Sequence, residues 1–350
     1  MWGQPLRAHH GRPWWRAGRG WRRSGAIMSY RAWRGLLVRI GGQDNLARTD
    51  LLVLDIDGVL LDCSLSYPRA ISAAAQRFAA DLGWRMDGTL LTPEETRGWK
   101  RAGGFNDDWA LTRAALHFFM SKGARGVAAA RSAPPSQADF LGEVARLGGG
   151  PDAVRALLGQ PPPAWDPERI ARLCCSYYAG DRCREMFGFP AVEGAEGPGL
   201  CELERPLVAA ARLLRWPGTV GIYTGRDDGE TAFALQRLGL AGRLPPGRVV
   251  TSGSGMSKPD PAGLAALAQA AGDPAHGLYA GDNVDDQETV RRYRARRGKA
   301  RPTTGFAFAG VLGGTLGDLA EAAFRSGGAD IIAPGAADLV EVLLAIRGVA

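Results

Sequence analysis

Two aspartates two positions apart, Asp55 and Asp57, follow the aliphatic run Leu51-Leu52-Val53-Leu54 and precede Gly58-Val59-Leu60. Such a run, bounded by a glycine, reads as a buried strand ending in a turn, with both carboxylates at its C-terminal lip. In a parallel α/β sheet that lip is where ligands bind. Two acids crowded there repel each other unless a cation or a proton lies between them. The plainer alternative is that one caps a following helix while the other is solvated. Three later stretches also end an apolar run in polar groups. The segment 218–223 leads into Thr224-Gly225-Arg226, whose hydroxyl and backbone N–H groups can hold phosphate oxygens. The Arg226 side chain could reach a phosphate too, or pair with Asp227 or Asp228. After Val249-Val250-Thr251 comes Ser257-Lys258-Pro259, a cation at a helix start, where the helix dipole disfavours it. Finally Leu278-Tyr279-Ala280-Gly281 runs into Asp282, with Asp285 and Asp286 close behind. Oxygen ligands of this kind suit a hard divalent cation such as Mg²⁺.

Holding these groups together requires a sheet whose strands end at one edge. Strands are expected at 51–54, 218–223, 249–251, 278–281, 305–311 and 330–332, and helices at 207–214, 230–240, 263–271, 316–326 and 336–346. That alternation implies an α/β fold, a mostly parallel sheet covered by helices on both faces. Between 64 and 204 the pattern changes. Apolar residues at 71, 74, 75, 78, 79 and 82 form a helical stripe. Further helices are expected at 93–102, 106–121, 137–146, 152–158 and 167–180, and no strand is followed by a catalytic signature. Within this insertion Lys100-Arg101-Ala-Gly-Gly-Phe-Asn106-Asp107-Asp108-Trp109 leads from a polar loop into a helix. Either Asn106 or Asp107 caps that helix with Phe105 and Trp109 as a hydrophobic staple, or Lys100, Arg101 and Asn106 face an anionic substrate, and both can be true. Tyr67 is expected to pack, with Pro68 opening the first helix.

Composition narrows the class. The chain has 350 residues, 45% of them apolar, enough for one large domain or two ordinary ones. No apolar run reaches 18 residues, so no membrane span is expected. The net charge of +7 is uneven: the first 50 residues carry ten arginines against Asp44 and Asp50, and the remaining 300 are close to neutral. Residues 1–27, with four tryptophans and no apolar period, are expected to be disordered, with Met28 as an alternative start. Residues 29–40 are expected to form a short basic helix before a turn at Gly41-Gly42. A nucleic-acid partner is not expected from the near-neutral body, and the basic stretch 291–301 reads as a solvated helix end. Cys63, Cys174, Cys175, Cys183 and Cys201 show no zinc spacing with His9, His10, His117 or His276. An odd number of thiols suggests a reducing, cytoplasmic setting. Cys63 reads as a packed or loop thiol, since no basic neighbour in the sequence would activate it.

Asp55-Ile-Asp57-Gly-Val-Leu resembles the first motif of the haloacid dehalogenase (HAD) superfamily in its phosphatase form. The segments ending at Thr224-Gly225, Lys258-Pro259 and Gly281-Asp282 resemble motifs two, three and four, in the family's order and each near a strand end. The resemblance covers roughly residues 50–346. It implies a Rossmann-like three-layer α/β core built from 49–63 and 205–350, an all-helical cap at 64–204, and a leader with a short helix at 1–48. It also implies roles. Asp55 would be the nucleophile that forms an aspartyl-phosphate, and Asp57 the acid and base. Thr224, Gly225 and Arg226 would bind phosphate, and Lys258 would offset charge. Asp55, Asp57 through its carbonyl, Asp282 and Asp286 would hold Mg²⁺, with Asp285 as the alternative to Asp286. The acid at Asp57 disfavours a carbon–halogen substrate, and neither Lys100 nor Lys122 matches the cap lysine of phosphonate-cleaving relatives. The implied activity is hydrolysis of a small phosphomonoester, a phosphorylated metabolite, in a branch near phosphoglycolate phosphatases. A phosphomutase on the same core is the alternative, and a non-catalytic phospho-ligand-binding regulator the alternative of another class.

Overall fold

The computed structural model describes residues 29–105, 107–296, 304–314 and 317–349. Residues 1–28 of the expected leader, Asn106 and the end of the basic stretch lie outside the described residues. An eight-stranded sheet forms the core. Its strands are β1 (Tyr30–Trp33), β2 (Leu36–Arg39), β3 (Leu51–Leu54), β6 (Thr219–Tyr223), β7 (Val249–Val250), β8 (His276–Gly281), β9 (Gly305–Val311) and β10 (Ile331–Ala333). They lie in the order β1-β2-β10-β9-β8-β3-β6-β7. From β10 to β7 every pairing is parallel, and only β1 and β2 run antiparallel at one edge. The fold is thus the α/β core expected from the alternation of elements.

All four residues of β3 are buried because the strand is covered on both faces, which is why it reads as an unbroken aliphatic run. Side chains alternate across it: Leu52 and Leu54 join one apolar cluster with Ile222 and Leu278, and Leu51 and Val53 join another with Tyr223 and Tyr279. Register then aligns the chemistry. Leu54 sits opposite Ile222 on β6 and Ala280 on β8, so Asp55 emerges level with Tyr223 and Gly281, and Thr224 and Asp282 follow one residue later.

Residues 29–40 are a hairpin, not the expected basic helix. Trp33 pairs with Leu36 across Arg34-Gly35, both at positive φ (50° and 82°), the backbone a tight hairpin turn requires. Leu36 and Val38 are buried and β2 adds to β10. Asp330, fully buried, takes ion pairs from Arg39 and Arg294 and a bond from the Phe308 N–H at 2.9 Å, which ties the hairpin to the sheet. A period-2 pattern only four residues long was hidden by the flanking arginines.

Two further short strands, β4 (Leu61–Asp62) and β5 (Arg205–Pro206), pair antiparallel. They mark where the chain leaves the core and returns to it. Between them lie helices, among them α2 (Tyr67–Asp81), α3 (Thr96–Arg101), α4 (Asp108–Ser121), α6 (Gln137–Arg146), α7 (Gly150–Leu158) and α8 (Pro167–Ala179), after α1 (Gln43–Arg48) in the core; α5 (Val127–Ser132) and α9 (Cys183–Phe187) were not expected. They enclose their own apolar centre around Trp99, Phe105, Phe118 and Phe140, with Phe118 and Phe140 stacked at 4.4 Å. A smaller cluster of Tyr67, Tyr178, Cys201 and Phe233 joins them to the core. No helix among the described residues is long and apolar enough to cross a membrane.

Candidate active site

Asp55 leaves β3 with its backbone N–H bonded to Ala280 at 3.0 Å, and its carboxylate faces a lysine. The Lys258 ammonium, delivered by the loop after β7, lies 2.7 Å from Asp55 Oδ1 and 2.9 Å from Asp286 Oδ1. The Tyr279 hydroxyl donates to the same Asp286 oxygen at 2.6 Å, and the Asn283 N–H donates to the other at 3.2 Å. Carboxylate oxygens of Asp55, Asp282 and Asp286 lie within 4.8 Å of one another, all three buried. Asp286 is therefore the acid brought to the site. Asp285 is half-buried in the first turn of the helix Val284–Ala295, which Asn283 and Asp286 cap reciprocally.

Burial pushes the Asp55 carboxyl well above the usual range; Lys258 opposes this, while Asp286, Asp57 and Asp282 add to it. Burial likewise disfavours the Lys258 charge, but Asp286 and Asp55 outweigh it and hold the ammonium firmly protonated. Three carboxylates and one ammonium leave a formal −2 when ionised. The donor set is all oxygen, and the backbone is pressed against it: a Cβ on Gly58 would lie 2.5 Å from Asp282 Oδ2. The residues present fit a small hard divalent cation.

Thr224 is buried at the end of β6, its N–H bonded to Val250 at 3.0 Å and its hydroxyl accepting from the Arg226 N–H at 3.2 Å. Gly225 has nothing within 4 Å of where a Cβ would stand, so its backbone borders open space. The Arg226 side chain corrects the sequence reading. It neither pairs with Asp227 or Asp228 nor stays available for a phosphate. Its Nε and Nη2 donate to Asp57 Oδ1 at 2.9 and 2.6 Å, Nη2 to Glu204 Oε2 at 2.9 Å, and Nη1 to the Tyr178 hydroxyl at 3.0 Å. Burial would raise the Asp57 carboxyl, but this guanidinium holds it below the ordinary value.

Cys63 also departs from the sequence picture, because a basic partner does adjoin it. Arg226 Nη2 donates to its sulfur at 3.1 Å, and the thiol donates to Asp57 Oδ1 at 3.1 Å. Burial and then Asp57 still push the thiol well up, which disfavours the thiolate. Tyr67 packs as expected, stacked on Tyr178 at 4.6 Å, and its hydroxyl donates to Glu230 at 3.1 Å.

From the helical insertion, Lys100 at the end of α3 pairs with Asp108 at 2.8 Å. Burial opposes its charge, but Asp108, then Asp57 and Asp282, raise its proton affinity, which places the ammonium within the field of the site acids. Arg101 is exposed and is not brought to the site. Asp107 caps α4, accepting from the Trp109 and Ala110 N–H groups at 2.8 and 3.1 Å. Glu204, Tyr178 and Asp108 were missed in the sequence. Glu204 stands in Cys-Glu-Leu-Glu-Arg-Pro, where nothing local separates a buried acid from a solvated one.

No protein-family model and no curated protein matches the sequence. Solved structures do. A phosphatase, Tt82, from Thermococcus thioreducens overlays with a TM-score of 0.59 at 26% identity, covering 85% of this chain and 99% of that one. A structural-genomics target overlays at 0.52 with 15% identity, covering 86% of this chain and all of the other. A HAD-superfamily hydrolase of subfamily IA from Geobacter sulfurreducens aligns over 85% of this chain and 97% of its own at 14% identity, with a TM-score of 0.41. Four motif segments converge on one edge of a parallel sheet beneath a helical insertion, in a chain that is similar to a solved phosphatase over 85% of its length.

Proposed function

We propose that the protein is a Mg²⁺-dependent phosphatase that hydrolyses a small phosphomonoester through an aspartyl-phosphate on Asp55. The observation that carries this reading is the ammonium of Lys258 seated between Asp55 and Asp286, within the same cluster as Asp282. A lysine in that place neutralises a nucleophile and an incoming anion together.

Asp55 Oδ attacks phosphorus as the bond to the leaving oxygen breaks, and Asp57 delivers a proton to that oxygen. Water then attacks the aspartyl-phosphate while Asp57 takes its proton, which regenerates Asp55 and releases inorganic phosphate. Thr224 and the N–H groups of Gly225 and Arg226 hold the phosphoryl oxygens. Asp55, the Asp57 carbonyl, Asp282 and Asp286 would hold Mg²⁺, which when bound favours ionised Asp55 and screens the phosphate charge. The helical segment 64–204 acts as the cap that excludes water and selects substrate, with Lys100 and Asp108 on its site-facing side.

A panel of phosphomonoesters with Mg²⁺ tests the reading. Wild type is expected to release phosphate from at least one, and Asp55→Asn from none. Activity that survives in Asp55→Asn contradicts the covalent route.

A further inference from the structure

The structure joins Asp57 to the helical segment through one buried guanidinium. Every hydrogen bond to the Asp57 carboxylate among the described residues goes to Oδ1, from Arg226 Nε, Arg226 Nη2 and the Cys63 thiol. Three donors on one oxygen pin the carboxylate and leave Oδ2 without a hydrogen bond among the described residues. The guanidinium is itself held on its far side. Glu204, fully buried, accepts from Arg226 through Oε2 and from the hydroxyls of Ser66 and Tyr178 through Oε1, at 2.9, 2.8 and 3.0 Å. Tyr178 accepts in turn from Arg226 Nη1. The Tyr67 ring lies under the guanidinium, 5.4 Å from its centre.

The placement of these groups is as telling as their contacts. Asp57 and Arg226 belong to the core, Cys63 and Glu204 flank the paired strands β4 and β5 where the chain crosses between the two parts, and Tyr67 and Tyr178 sit on α2 and α8. A rigid fork with five donors can satisfy all of these partners only when the parts are seated as they are here. Resting on the phosphatase reading above, we propose that Arg226 is the positioning residue of Asp57, and that Glu204 and Tyr178 fix it, so that seating of the helical segment aims the proton donor. A buried charge pair need not add stability to be retained, and here it serves orientation.

The test compares kcat/KM for p-nitrophenyl phosphate, whose leaving group departs without a proton, and for a simple alkyl phosphate, whose alkoxide needs one. Tyr178→Phe and Glu204→Gln are expected to lower the alkyl value about tenfold or more and the aryl value less than about threefold, a fraction of the 10²–10⁴-fold that proton transfer supplies. In an Asp57→Asn background the same substitutions are expected to cause no further loss, because they act through that side chain. Should Glu204→Gln fail to fold with one buried charge removed beside Arg226, Tyr178→Phe, which removes one oxygen, decides alone. Equal losses on the two substrates, or losses that persist in the Asp57→Asn background, overturn the proposal. A wild type that turns over neither substrate overturns the phosphatase reading first, and this one with it.

Discussion

Replacing Lys258 by Met isolates the electrostatics of the site. The substitution keeps length and apolar volume but removes the charge between Asp55 and Asp286. At separations of 2.7 and 2.9 Å, an effective dielectric constant of about 20 makes each contact worth roughly 6 kcal/mol before solvation. Dehydrating each ion cancels several kcal/mol of that, and removing one member of a buried pair typically costs about 3–5 kcal/mol. The variant is therefore expected to lose about that much unfolding free energy in EDTA at pH 8. Protonation offers the buried acids an escape. Asp55 already has its proton affinity raised by burial, and losing the ammonium raises it further. The folded state then binds more protons than the unfolded one, so the variant's stability falls as pH rises above the ordinary carboxylate range. The deficit is expected to be small at pH 5 and full at pH 8. Saturating Mg²⁺ restores part of it, about 2.7 kcal/mol at a hundred times the dissociation constant. Urea unfolding at the two pH values, with EDTA and with Mg²⁺, measures all of this. A wild-type-like stability in EDTA at pH 8, or the same deficit at both pH values, refutes the idea that the ammonium compensates the acidic cluster.

Gly58 has φ +69°, and a Cβ there would stand 2.5 Å from Asp282 Oδ2; Gly58→Ala is expected to raise the Mg²⁺ concentration for half-maximal activity about tenfold, a strained backbone and a displaced ligand acting together, and an unchanged requirement would detach Asp282 from the metal. Glu230 is pushed up to about 8, by burial first and then by Asp227, so in the wild type its contribution fades as pH rises from about 4.5 to 8; Glu230→Gln should gain melting temperature relative to wild type at pH 8 and none at pH 4, and a constant offset argues against it. Lys100→Glu sets a second acid against Asp108 and should raise KM about tenfold or more with a smaller loss in kcat; an unchanged KM removes this loop from substrate binding.

Much of the core was legible because its signals are local. The run before Asp55 is aliphatic since β3 is covered on both faces, and the segments of Asp55, Thr224 and Asp282 each end a strand whose apolar residues announce it. The strand Gly305–Val311 and the helix Ala336–Ile346 lie where their periodicity placed them, and the stretch 64–204 shows helical period for the same reason. Asp286 over Asp285 follows from spacing, one turn beyond Asp282, where the helix turns its side chain inward beneath Lys258.

What the local pattern could not carry are contacts between distant segments. The strands at 30–39 exist because Val38 pairs with Ile331 and Arg39 finds Asp330, and without those partners an arginine-rich stretch looks solvated or helical. Arg226 has two acids beside it in sequence and chooses one 169 residues away. Glu204, an ordinary charged residue on paper, is buried because a guanidinium and two hydroxyls await it there. Side-chain type and spacing determine which groups end each strand. Which of them meet, and which charge answers which, depends on long-range burial, where an unpaired ion is costly enough to select its partner from anywhere along the chain.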